Sequence, residues 1–184
     1  MTQALPPRWA GALLAAALAT PLTACDRISD FDTGPGEAYC GQITLASGYR
    51  TGFTPRVQMR MTFDSSKVDA GESPGLLTTF DAGMETEPQL LTEAPLRPIP
   101  PLSHDPLSQL EFGDGRDVNL IYGVSPNSPE AESVLAVVSL RSDDAVEVRL
   151  IRPGMAAGAD DVPAGRRPLF GLFVLRRRDG DCGF

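Results

Sequence analysis

Residues Arg56 to Asp64 alternate without a break: Val57, Met59, Met61 and Phe63 are separated by Gln58, Arg60 and Thr62. A period of two gives a β-strand with one buried face and one wet face. The paired methionines read as core, because Met fills irregular gaps between other side chains. Val146, Val148 and Leu150 alternate in the same way with Glu147 and Arg149, and Arg152 follows. Ser133 to Arg141 is apolar almost throughout, which predicts a central strand covered on both faces. Ser142-Asp143-Asp144 turns the chain between these last two runs, making a hairpin. Leu107 to Phe112 and Val118 to Val124 flank Gly113-Asp114-Gly115-Arg116-Asp117 and predict a second hairpin. Gln42 to Ala46, Leu76 to Phe80 and Leu169 to Leu175 are further strand candidates.

The count is about eight antiparallel strands and no helix in the body of the chain. Such an order predicts an all-β domain, either a barrel-like sheet or a sandwich. With 18 Gly and 17 Pro in 184 residues, the chain is rich in turns. Ser65 to Gly75, Ser125 to Glu132 and Gly154 to Arg167 read as loops. Residues 82–106 hold Pro88, Pro95, Pro98, Pro100, Pro101 and Pro106, which forbid helix or central strand through most of that stretch. It reads as a long crossing loop, with a Pro-rich docking segment as the alternative.

The amino-terminal stretch is of another kind. Arg8 precedes an apolar run from Trp9 to Ala19, and Thr20 and Pro21 interrupt it. The run falls short of the roughly 20 apolar residues that cross a bilayer, and its parts are those of an export signal. Leu22-Thr23-Ala24-Cys25 then resembles the lipobox of bacterial lipoproteins. That resemblance covers the leader alone. It implies cleavage before Cys25, a diacylglyceryl and an N-acyl chain on that cysteine, and a protein anchored in the bacterial cell envelope, on the periplasmic face or the cell surface. One acyl chain binds a membrane marginally, whereas several hold firmly. Asp26 is similar to the inner-membrane retention signal of enteric bacteria; other lineages follow different rules, so the membrane stays open. The expected organisation is a signal peptide over 1–24, the acylated Cys25 and a flexible tether over 25–38, and a single β-domain over 39–184. Ile28 and Phe31 within the tether would sit at the membrane surface.

With Cys25 taken by lipid, Cys40 and Cys182 remain as an even pair in an oxidising compartment and are expected to form a disulfide. Closing nearly the full domain, it would stabilise by about 4–5 kcal/mol on the loop-entropy model. Cys40 precedes the first strand and Cys182 follows the last. Their sulfurs meet if those two strands lie side by side antiparallel, as in an up-and-down barrel or in a sandwich with neighbouring terminal strands.

The net charge of −8 becomes about −9 once the leader and its Arg8 are gone, which argues against nucleic acid as a partner. His104 is the single histidine and no C-x-x-C occurs, so neither a metal nor another cofactor is expected. Asp114, Asp117, Asp143, Asp144, Asp160, Asp161, Asp179 and Asp181 sit in expected turns without the spacing of a calcium loop. Ser103-His104-Asp105 gathers suggestive types, but sequence neighbours seldom converge as a triad, and no G-x-S-x-G is present. No catalytic residue is assigned. Arg176-Arg177-Arg178, with Arg166-Arg167, is a candidate basic patch for acidic headgroups or glycans. At a strand end it more often marks a solvated edge that blocks sheet-to-sheet pairing. Met59, Met61, Phe63, Tyr122 and Phe173 are the candidate lining of an apolar pocket, should a barrel enclose one. The expected function is a lipid-anchored, non-catalytic envelope protein whose β-domain binds another protein or an envelope polymer. The alternative is a carrier of a lipid or other apolar small molecule.

Overall fold

The computed structural model describes residues 28–46, 48–81, 90–99, 110–112, 117–141, 144–154, 164–180 and 182–183. The leader with Cys25, Ser103-His104-Asp105, and Asp114, Asp143, Asp160, Asp161 and Asp181 lie outside them. In chain order the strands are β1 (Glu37–Ile43), β2 (Arg50–Thr51), β3 (Val57–Met61), β4 (Leu76–Asp81), β5 (Ala94–Pro95), β6 (Arg97–Pro98), β7 (Leu110–Phe112), β8 (Asp117–Val124), β9 (Val134–Leu140), β10 (Ala145–Arg152) and β11 (Leu169–Asp179). One short helix, α1 (Ser66–Asp69), lies between β3 and β4.

All the strand pairs are antiparallel, and the sheet runs β5-β4-β3-β1-β11-β10-β9-β8-β6. Its two outermost members are consecutive in the chain, with only Leu96 between them. Ala94 to Pro98 therefore bonds β4 with its first half and β8 with its second, and bends the sheet into a nearly closed barrel. Seven strands of five or more residues and this closing segment make the ring, so the barrel outcome holds over the sandwich. The Pro-rich stretch is thus not all loop. Pro95 and Pro98 lack the N–H that a ladder needs, which limits each pairing to two residues. The Leu96 N–H between them turns to Gly75 O at 2.9 Å.

β1 starts at Glu37, not near Gln42, and pairs with both β3 and β11. Small residues hid its pattern: Ala38 and Gly41 interrupt the apolar alternation. A Cβ on Gly41 would lie 2.0 Å from Val174 O, so the close approach of β1 to β11 requires glycine there. β11 extends through Arg176-Arg177-Arg178 to Asp179.

The barrel has two distinct ends. At one, residues 28–33 lie across the opening, and Ile28 and Phe31 join the core cluster. This corrects the expected tether over 25–38: Ile28 and Phe31 are part of the packed domain. The Thr33 N–H donates to Phe63 O at 2.9 Å, and the Thr33 hydroxyl accepts the Phe63 N–H at 3.0 Å. The Asp32 carboxylate accepts the Ser65 hydroxyl at 2.9 Å. At the opposite end Phe53 sets its ring edge against Phe173, with centroids 5.6 Å apart. Connections Leu45–Thr54, Leu90–Glu93 and Ser125–Ser133 gather at this far end, where the Asn127 amide donates to Thr92 Oγ1 at 2.8 Å.

Cys40 faces out of the barrel and is bonded to Cys182, with Ala38 packed beside them. Their Cα atoms are 5.4 Å apart, within the ordinary range for a disulfide. The bond spans 142 residues and ties the tail behind β11 to the first strand. Replacing both cysteines by Ser should lower unfolding free energy by about 2–5 kcal/mol. Urea denaturation with and without reductant measures this, and the variant should show no further loss when reductant is added.

Candidate binding surface

The five residues expected to line an apolar pocket do come together, but as packing. Met59, Met61, Phe63, Tyr122 and Phe173 are all buried in one cluster. Met59, Met61 and Phe173 are fully buried. Val138, Leu140, Val146, Val148, Leu150 and Leu175 fill the same interior. Native mass spectrometry of the domain from Ile28 onward should therefore return the bare chain. A reproducible extra mass, lost on unfolding, would contradict a filled interior.

Burial sets the chemistry of the two interior tyrosines. It pushes the Tyr39 hydroxyl above its ordinary value of 10.0, against the lowering effect of Arg177. It raises Tyr122 more strongly still. Each stays protonated in the fold at a pH where the unfolded chain has ionised. Their contribution is complete below pH 10 and is lost as pH rises beyond it, by up to about 1.4 kcal/mol per pH unit for each tyrosine. The urea midpoint should fall above pH 10, and Tyr122→Phe should flatten that fall when followed from pH 8 to 11.

The candidate basic patch does not form. Arg166 and Arg167 lie at the far end, where Arg166 is 3.8 Å from Glu132. Arg176 to Arg178 lie at the capped end. Along β11 the side chains alternate: Arg177 points inward, and Arg176 and Arg178 point outward. Arg177 Nη2 donates to the Tyr39 hydroxyl at 2.9 Å and to Asp30 O, and lies 3.4 Å from the Asp144 carboxylate. Tyr39 in turn donates to Phe31 O at 3.1 Å. Asp144 takes up φ 57° in the β9–β10 turn, a conformation Asp tolerates. The sheet-edge reading fails for Arg176 alone. Arg176 is paired with Cys40 of β1 on one side and Ala145 of β10 on the other, while Arg177 and Arg178 are paired with β1 alone among the described residues.

A second polar group was not singled out from the sequence. On the outer face, Glu147 Oε2 accepts from Arg141 at 3.0 Å and from Arg149 at 2.8 Å. Arg149 Nη1 also donates to Ser139 Oγ at 2.8 Å, and the Ser139 hydroxyl donates to Asn119 Oδ1. The chain of contacts crosses β8, β9 and β10. Ser139 is fully buried, and the group pins the register of β8, β9 and β10. The available signal was a lone Ser within the apolar run 133–141.

Exposed apolar side chains lie on the outside at several levels: Leu76, 40% exposed, is at the capped end, Val174 is mid-strand, and the others are toward the far end. Leu45 is 60% exposed, Tyr49 49%, Val174 42% and Leu135 39%. Register makes neighbours of several of them. Phe170 faces Ile151, which faces Leu135, and the next outward row is Leu172, Arg149, Val137 and Ile121. The Leu45–Tyr49 connection borders the same rows, with the Leu172 N–H donating to Tyr49 O at 3.2 Å. The outer face of β9, expected to be covered, is covered only in part. Its outward apolar residues cannot be told from core by periodicity in so apolar a run.

Among the described residues no group of three or more His, Cys, Asp or Glu is placed to hold a metal. No described helix is long and apolar enough to cross a membrane. No protein-family model, no curated protein and no solved structure matches this chain. A functional reading therefore has to come from its own residues.

Proposed function

We propose that this chain is a lipid-anchored, non-catalytic protein of the bacterial cell envelope, whose barrel binds another protein or an envelope polymer through its outer face. The observation that carries the reading is the apolar surface left exposed on the outside of the barrel, with Leu45 and Tyr49 beside the row that holds Leu135. The apolar rows around Leu135 and Phe170, extended by Leu45 and Tyr49, are the candidate contact. Apolar groups held on a rigid sheet lose little freedom on binding, which favours such a face as a contact. The lipobox-like Leu22-Thr23-Ala24-Cys25 supports the anchor and the location.

A photo-crosslinking residue at Leu135 or Tyr49, in cells, should trap one and the same envelope component. The same residue at the exposed Lys67, on the other end of the barrel, should not. Leu135→Asp should reduce the Tyr49 crosslink about tenfold or more, the effect of losing roughly 1.4 kcal/mol at an interface. Absence of a position-specific product at both sites would overturn the outer-face reading. Cys25→Ala should leave the protein unacylated by mass, and retention of acyl mass would overturn the anchor.

A further inference from the structure

We propose that the barrel sits directly on the bilayer, capped end against the headgroups, with no spacer between lipid and domain. The proposal rests on acylation of Cys25. Only Asp26 and Arg27 separate Cys25 from Ile28, and Ile28 is already buried in the core. Three residue steps reach at most about 11 Å when fully extended. The headgroup layer of one leaflet takes up about 5–8 Å of that distance. Only a few ångströms of slack remain between the acyl chains and the capped end.

The near end of this leash is fixed to the barrel. Residues 30–33 are held by Arg177 at Asp30 O, Tyr39 at Phe31 O, Ser65 at the Asp32 carboxylate and Phe63 at Thr33. Freeing that segment would mean breaking these contacts and exposing Phe31. The capped end also carries both charge signs: Lys67 and Arg178 beside Asp30, Asp64 and Asp179. Its contact with lipid thus comes from the short leash rather than from charge, and should change little with salt. Leu45, Tyr49 and Leu135 then lie on the barrel's side at the end away from the membrane, open to a partner in the surrounding space.

The test uses the full acylated protein in vesicles of phosphatidylethanolamine and phosphatidylglycerol with nitroxide-labelled headgroups. Cys25 is acylated and Cys40 and Cys182 are paired, so a single introduced cysteine can be labelled with a fluorophore. Lys67→Cys reports on the capped end and Leu45→Cys on the far end. Quenching should be several-fold stronger at position 67, at low and at high salt. A Gly/Ser spacer of about 12 residues between Arg27 and Ile28 should bring it down to the level at position 45. Equal quenching at the two positions, stronger quenching at 45, or no effect of the spacer would overturn the proposal. Intact mass and vesicle flotation keep the two readings apart. A protein without acyl mass that stays off the vesicles removes the anchor itself. An acylated, floating protein with equal quenching removes only the orientation.

Discussion

The first strand lies against the last, and most of the molecule depends on that pairing. β1 runs seven residues in register with β11, from Glu37 opposite Asp179 to Ile43 opposite Phe173. Without it the sheet would be an open meander with two edges. With it, the amino-terminal cap, the carboxyl-terminal tail and the disulfide all fall at one end of the barrel. Gly41 is the local condition for the approach, since any side chain there would strike the Val174 carbonyl. Arg177 and Tyr39 are its polar counterpart, joining the two strands and the cap through the charge-assisted hydrogen bonds between them.

Much of this was legible from residue pattern. Alternation placed β3 and β10, the apolar run placed β9, and the turn chemistry at 142–144 joined β9 to β10. The cysteine positions were compatible with adjacent terminal strands, which the β1–β11 pairing shows. What escaped was what periodicity cannot carry. β1 is built partly from small residues whose place in the sheet is decided by neighbours. The closing segment Ala94–Pro98 violates strand propensity and is held by pairing with β4 and β8. Ile28 and Phe31 sit among polar residues, so nothing local says that they cover the barrel's end.

The candidate site was less legible for a related reason. Inward and outward apolar residues look alike in sequence. Met59 and Leu135 differ only in which side of the sheet they face, and that is set by register. The arginine triplet read as one patch because its members are adjacent in sequence, whereas a strand sends them to alternate faces. Met59, Met61, Phe63, Tyr122 and Phe173 all lie in the buried cluster.

The 142-residue span between Cys40 and Cys182 also has a consequence for how the protein is made. A chain that crosses a membrane amino terminus first delivers β1 early and β11 last. Until β11 emerges, β1 has half its ladder unmet, and the closing contacts are the most distant in sequence that the fold possesses. Such long-range topology folds slowly and leaves strand edges open while it waits. Thiol order matters in that interval, because Cys25 lies far closer to Cys40 along the chain than Cys182 does. On the proposed acylation of Cys25, a thioether formed there before Cys182 arrives would remove that competing thiol.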